Sequence, residues 1–303
     1  MKPELIVITG PTASGKTKLA AQLAYLINGA IISADSRQVF RKMTIGTGKD
    51  LDDYIVQGNK IPYYLIDILN PGEFYSAYNF AKDFIRTYRD IKNKKQYPIL
   101  CGGTGLYISA VVEKYRFYET APDNTLRQKL ETKSLEELQK TASNLSISLN
   151  TSDSNNKRRL IRHIENKLSS LKGNPIIIPE THPVVFAIKI SPEKRREKIE
   201  QRLETRLKEG MIEEVKALLK EYGEKTMMSY GLEYKYITLY LKGNLSYDEM
   251  KIKLATEIYR FSKRQMTWFR RMERNGIKIY WIDYEWPETQ KIETILKIAS
   301  IAE

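Results

Sequence analysis

Gly10-Pro11-Thr12-Ala13-Ser14-Gly15-Lys16-Thr17 satisfies G-x-x-x-x-G-K-[ST] in full and follows the apolar run Leu5–Thr9. Glycines at both ends of such a loop let successive backbone N–H groups turn inward around an anion. A helix starting behind it adds its N-terminal dipole. Lys16 brings a mobile positive charge, and the Thr17 hydroxyl offers an oxygen to a Mg²⁺ that bridges phosphate oxygens. All eight residues are expected around a phosphate group, with Thr17 as the metal contact. The motif speaks for phosphate binding and leaves the reaction type open.

A second candidate follows in Ile31-Ile-Ser-Ala-Asp35-Ser36-Arg37-Gln38, which puts an aspartate just past an apolar run. In an open parallel sheet the ligand crevice lies outside the carboxyl ends of the strands, so Asp35 should look toward the phosphate loop. Capping a helix from Ser36 onward is the equally open alternative. Cys101-Gly-Gly-Thr104-Gly105 ends a further strand, with glycines for close approach and a Thr104 hydroxyl for a phosphate or a base. Asp50-Leu-Asp52-Asp53 lacks the D-D-x-x-D spacing of an Asp-rich Mg²⁺ motif and reads as a solvated loop.

The elements that must position these residues alternate. Strands are expected at Leu5–Thr9, Ala30–Ser33, Tyr63–Ile68 and Pro98–Cys101, with helices at Lys18–Ile27, Tyr75–Lys95 and Leu106–Tyr115. This alternation predicts an α/β fold, a P-loop NTPase-like parallel sheet flanked by helices. Residues 1–116 form the first part of that core. Residues 117–183, rich in Ser, Asn, Thr and Lys and without a convincing strand, read as a small helical insertion domain. It is entered at Ala121-Pro122-Asp123 and left at Thr181-His182-Pro183. Residues 184–303 complete the core with a strand at Val184–Ile190, helices at Pro192–Glu209, Met211–Tyr222, Tyr230–Leu241 and Ser246–Arg274, and a strand at Ile277–Ile282.

Composition narrows the partner. The 303 residues carry a net charge of +13, a surplus that points to a polyanion, or else to a generically basic surface. On the helix Ser246–Arg274, the residues Leu254, Ile258, Phe261, Trp268 and Met272 share one face that should bury. Arg260, Lys263, Arg264, Arg271 and Arg274 gather beside it, a stripe of one sign that favours phosphate contact. Gln265 falls within the apolar face, where an amide needs a specific partner. The single cysteine, Cys101, excludes an internal disulfide and reads as a small buried hydrophobe. The sequence opens directly into strand-like residues and has no run long enough to span a bilayer, so a cytoplasmic protein without membrane contact is expected.

GPTASGKT, ISADSRQVFRKMTIGT, LCGGTGLYI and KRQMTWFRR, in that order, resemble the tRNA dimethylallyltransferases, also called tRNA isopentenyltransferases. The likeness runs over nearly the whole chain and is weakest between Arg116 and Pro183. It implies transfer of a dimethylallyl group from dimethylallyl diphosphate to the exocyclic amine of the adenine 3′ of the anticodon. It also implies action on the anticodon stem-loop with Mg²⁺, and a monomer is expected. The loop would then hold a departing diphosphate, Asp35 would act as general base, and Lys16 and Thr104 would join it in catalysis. Ser36, Arg37 and Gln38 would flank the adenine, with Gln38 able to read its edge, and Lys263, Arg264 and Gln265 would also meet tRNA. Asn155-Asn156-Lys-Arg158-Arg159-Leu160-Ile161-Arg162-His163-Ile-Glu165 resembles the family's N-D-x-x-R-x-x-R-A-L-E stretch, which puts residues 158–162 and Arg127 on the anticodon arm.

Three departures stand out. Tyr64 replaces a usual His, Asn156 replaces an Asp, and Tyr259 stands where an Arg is common, with Arg260 one place later as the candidate to hold the diphosphate. Residues 49–61 are longer than the family's usual segment. A P-loop small-molecule kinase, an enzyme prenylating free adenine nucleotide, and an RNA-binding NTP switch are the rival readings. The first two leave the basic helices unexplained, and the third leaves Asp35 and Thr104 idle.

Overall fold

The computed structural model describes residues 3–117, 124–149, 151–168 and 175–300. Two compact units emerge, one of Met1–Tyr115 with Ile178–Glu303 and one of Arg116–Ile177. The expected entry at residues 121–123 lies outside the described residues.

In the larger unit, β1 (Leu5–Thr9) runs into the phosphate loop and α1 (Lys16–Leu26), which leads back to β2 (Gly29–Ser33). A 3-10 turn, Leu51–Tyr54, precedes the hairpin of β3 (Ile55–Val56) and β4 (Asn59–Lys60), and then β5 (Tyr63–Tyr64). The strand expected over 63–68 stops early because Leu65 and Asp67 take positive φ (63° and 54°), which extended backbone does not allow. Next come α2 (Ala77–Asn93), β6 (Tyr97–Gly102) and α3 (Gly105–Val112). Helix α2 starts at a capping box in which Ser76 and Asn79 satisfy each other's backbone N–H groups.

The smaller unit holds β7 (Arg116–Phe117), α4 (Asn124–Glu131), α5 (Leu135–Asn144), α6 (Thr151–Ser154), α7 (Lys157–Leu168) and β8 (Ile176–Ile177). Its core is Leu130, Leu138, Ala142, Leu160, Ile161 and Ile164. The sequence predicts no strand there, yet β7 and β8 pair antiparallel; two residues each are too few to leave an alternating pattern.

The chain then continues through β9 (Pro183–Lys189), α8 (Pro192–Lys208), α9 (Met211–Tyr222), α10 (Glu224–Met227), α11 (Leu232–Leu241), α12 (Tyr247–Arg274), β10 (Ile279–Asp283) and α13 (Glu288–Ile298). The segment Ile178–His182 belongs to the larger unit, where Glu4 donates its N–H to Thr181 O at 3.3 Å.

Six strands form a wholly parallel sheet in the order β10-β9-β1-β6-β2-β5. All five residues of β1 and of β2 are buried, as a sheet covered on both faces requires. The register pairs Thr9 with Gly102 and Ser33 with Cys101, so β1, β6 and β2 end level and side by side. The phosphate loop, the Gly102–Gly105 turn and the Asp35 turn therefore leave one edge of the sheet together. A second apolar cluster joins Val39, Phe40 and Met43, beyond Asp35, to residues of α8, α9, α11 and α12. It fixes the C-terminal helices over that same edge.

Gly102 is where β6 passes closest to the Asp35 turn. A Cβ there would sit 2.3 Å from Ala34 O and 2.8 Å from Ala34 Cα, against backbone that cannot move aside. Gly102→Ala should lower unfolding stability by about 1–3 kcal/mol; a urea midpoint equal to wild type would contradict this packing.

Candidate active site

The phosphate loop opens into a cavity of about 600 Å³. Gly15 caps α1 at φ 75°, a conformation that favours glycine, and nothing lies within 4 Å of where its Cβ would be. Thr12 through Thr17 line the cavity, whereas Gly10 and Pro11 stand behind it. Ser14 Oγ is buried without a protein partner, so the loop keeps an unspent donor. Lys16 is half-buried, and desolvation holds its ammonium below the usual lysine range despite Asp35 nearby. Cys101 lies beneath it, its thiol pushed up to about 12 by burial, as an inert strand residue.

Asp35 lines the same cavity from the end of β2. Its Oδ1 accepts the Arg37 N–H at 2.9 Å, an Asx-type turn, and no helix follows, so it is not a helix cap. Thr104, from the end of β6, ties the two turns together: its Oγ1 accepts the Ser36 N–H at 2.9 Å. Gln38 lines the cavity, but its amide donates to Gly48 O at 2.9 Å and its Oε1 faces Ser33 Oγ at 3.3 Å. Gln38 thereby holds the next loop, with one N–H and one lone pair of its amide left over. Glu214 reinforces this loop by accepting N–H groups from Thr44, Ile45 and Gly46 at 2.8–3.0 Å.

Gln265 supplies the link from α12. Its Oε1 accepts the Thr12 N–H at 2.8 Å and its Nε2 donates to Gly103 O at 2.8 Å. With 6 % exposure and both ends satisfied, it is an internal clamp and not a tRNA contact. The buried face of α12 runs through Leu254, Ile258, Ser262, Gln265, Phe269 and Met272. Helical spacing places Phe261 on that face; in the structure it is 41 % exposed and lines the cavity beside Arg264. Trp268 is half-buried, its indole N–H on Ser109 Oγ at 2.7 Å. Arg260 turns away to pair with Glu257 at 2.5 Å and does not line the cavity. Arg271 donates to Tyr115 Oη at 3.2 Å and lies 3.9 Å from Glu113, its side chain still part-exposed.

Further cations enter the cavity from α8. Arg202 donates to Thr12 Oγ1 at 2.5 Å, and its guanidinium is pushed down to about 10 by burial and by Arg206 alongside, leaving it charged at neutral pH. Arg206 is buried and pairs with Asp50 at 3.1 Å. Asp50 and Asp53 both line the cavity, with Asp50 and Asp52 exposed as a solvated loop requires; desolvation pushes the half-buried Asp53 carboxyl up. Glu233, at the start of α11, also faces the cavity, its carboxyl raised by burial. The polar spacing Lys198, Gln201, Arg202, Thr205 and Arg206, one face of a helix, was the available signal for the α8 groups.

The comparisons agree with this geometry. The IPP transferase family model matches residues 38–272. The tRNA dimethylallyltransferase 2 of Phocaeicola vulgatus is 47% identical over 300 residues, 98% of each chain. The tRNA dimethylallyltransferase 1 of Parabacteroides distasonis is 48% identical over 299 residues, 97% of each. The chain belongs to the IPP transferase family. Among solved structures, the full-length tRNA isopentenylpyrophosphate transferase of Bacillus halodurans is similar, with a TM-score of 0.72, 31% identity and coverage of 99% of this chain and 96% of that one. A eukaryotic dimethylallyltransferase acting on tRNA shares the fold at a TM-score of 0.78 and 21% identity, over 98% of this chain and 77% of that one.

Not every residue expected from the IPP transferase likeness is free to act. In the smaller unit, Arg127 makes a two-point pair with buried Glu165 at 2.9 and 2.7 Å, and Arg162 approaches the same carboxylate at 3.5 Å. Leu160 and Ile161 are core residues of that unit and cannot touch a partner. Arg158 and Arg159 are exposed, the latter paired with Asp153 at 3.1 Å. Asn156 caps α7 through its Oδ1, which accepts the Arg159 N–H, a role in which Asn and Asp are equivalent. His163 lies 3.6 Å from Asp153, and among the described residues no group of three His, Cys, Asp or Glu could hold a metal. Tyr64 accepts from Lys94 at 3.1 Å.

The Gln265 clamp makes a direct prediction. Gln265→Leu leaves the Thr12 N–H and the Gly103 carbonyl without partners, which should destabilise the fold by about 1–3 kcal/mol. The same change should speed hydrogen exchange at the Thr12 amide; unchanged exchange and stability would contradict the clamp.

Proposed function

We propose that the chain transfers a dimethylallyl group from dimethylallyl diphosphate to the exocyclic amine of the adenine at tRNA position 37, 3′ of the anticodon, and releases diphosphate. One observation carries this reading: the phosphate loop after β1 and the Asp35 carboxylate after β2 face one cavity, and Thr104, at the end of the strand between them, accepts the Ser36 N–H. The family relatives are named for this chemistry.

The allylic C–O bond breaks with carbocation character, and its electron pair leaves on the diphosphate. Preorganised positive charge on that group lowers the barrier. Lys16, the loop amides, the spare Ser14 hydroxyl and Arg202 are suited to this, with Arg202 in the role expected of Arg260. The adenine amine donates its lone pair to the allylic carbon, and the nitrogen becomes acidic as the bond forms. The Asp35 carboxylate then takes its proton, a task that needs no raised carboxyl pKa. Thr17 and a cavity carboxylate such as Asp50 or Asp53 fit Mg²⁺, which is commonly bound by one or two carboxylates plus substrate phosphates. A bound Mg²⁺ would supply charge neutralisation of the diphosphate.

The target base must leave its stack to enter such a cavity. Ser36, Arg37 and Arg264 line its wall and are offered for the base and its backbone, and Arg158 and Arg159 of the smaller unit for the anticodon arm. One chain supplies every group, so a monomer suffices, and a lone buried thiol suits the cytoplasm.

Supplying dimethylallyl diphosphate with unmodified tRNA or with AMP and weighing the products tests the reading. Mass gain on tRNA alone is expected; gain on AMP alone, or on neither, would overturn it. Asp35→Ala should abolish transfer while tRNA affinity stays within a few-fold of wild type, and retained turnover would remove Asp35 as base. Arg202→Gln should raise KM for dimethylallyl diphosphate by about tenfold, the order of one charged hydrogen bond; an unchanged KM would take Arg202 out of the diphosphate site.

A further inference from the structure

Tyr259, the residue that stands where the family commonly has Arg, is surrounded by cations. The guanidinium carbons of Arg195 and Arg196 lie 5.3 and 5.0 Å from its ring centre, and Lys263 Nζ lies 4.8 Å away. Arg195 and Arg196 come from the N-terminal end of α8, and Lys263 is one turn beyond Tyr259 on α12. Three like charges around one ring repel one another, and the ring quadrupole offsets only part of that.

No counter-charge completes the group. Arg195 is 5 % exposed, and its Nε is sealed from solvent without an acceptor. Among the described residues no carboxylate lies within ion-pair distance of Arg195, Arg196 or Lys263. Glu200 and Glu204 line the adjoining groove, but Glu204 is taken by Lys251 at 2.7 Å. A buried guanidinium is costly unless an anion and its hydrogen bonds accompany it. Arg196 and Lys263 are exposed, so the group is open to a ligand from solvent above a buried floor.

We propose that Arg196 and Lys263, arrayed on Tyr259 above the buried charge of Arg195, bind a backbone phosphate of the tRNA outside the reaction cavity. This rests on the functional reading above. The ligand is an oxyanion, and two sources share that chemistry: an RNA phosphate and free diphosphate. RNA is favoured because none of the four residues lines the cavity that holds the phosphate loop, while Arg264, next in sequence to Lys263, does. The cluster thus anchors the strand outside the cavity that Arg264 lines. Neither Arg195 nor Arg196 belongs to the phosphate loop or to the KRQ run.

The test uses the full chain carrying Arg196→Gln with Lys263→Gln, both exposed, and Arg195→Gln separately because it is buried. Thermal melting verifies folding. Binding of unmodified tRNA is measured across a salt series, and KM for dimethylallyl diphosphate at saturating tRNA. The double variant should bind tRNA on the order of tenfold more weakly, with the slope of log affinity against log salt reduced by about 1 for each phosphate no longer neutralised. The Arg196→Lys, Lys263→Arg pair should restore most of the slope. A folded double variant with wild-type affinity and slope would overturn the proposal. So would a change in KM for the diphosphate substrate with tRNA binding intact, which would assign the cluster to free diphosphate. Wild-type protein that binds no tRNA would instead overturn the functional reading itself.

Discussion

The site depends on one buried amide. Gln265 reaches from the middle of α12 to accept from the phosphate loop at Thr12 and to donate to the end of β6 at Gly103. An amide suits this place, because it offers a donor and an acceptor a fixed distance apart with no charge to bury. Gly103 is glycine for the same reason: a Cβ there would meet Gln265 Nε2 at 2.4 Å. The apolar cluster holds the C-terminal helices over the strand ends, and this contact ties α12 to the phosphate loop itself.

The cavity is electrically mixed, and that mixture follows from its work. Lys16, Arg202, Arg206 and Arg264 face Asp35, Asp50, Asp53 and Glu233 across about 600 Å³. A cradle meant only for an anion would have no use for the carboxylates. A site that must release a diphosphate and accept a proton needs both signs, held apart. Pairing of Arg206 with Asp50 leaves Arg202 as the α8 cation that touches the phosphate loop.

Much of this was legible in the sequence. The phosphate loop, the turn at Asp35 and Thr104 are short motifs at strand ends, and a parallel sheet brings strand ends together by construction. Gln265 was visible as an amide on an apolar face, although its partners were protein and not RNA. What stayed hidden was long-range and electrostatic. Arg202 and Arg206 sit in an ordinary charged helix and matter only because α8 packs over the loop. Asp50 and Asp53 read as solvated, and nothing in their spacing reveals that the cavity of the phosphate loop opens beside them. Arg127, Leu160 and Ile161 matched a family pattern by position, but burial and an ion pair with Glu165 decide their roles.

Because the loop is taken to hold what departs while Asp35 faces what arrives, bond breaking and bond making must be coupled. The most direct measurement follows inorganic diphosphate release and N6-alkylated adenosine in one reaction mixture, with ATP present as a competitor. The account predicts one diphosphate per alkylated adenosine, no release without tRNA, and no ATP hydrolysis. Diphosphate released without tRNA, or phosphate released from ATP in step with tRNA binding, would contradict it.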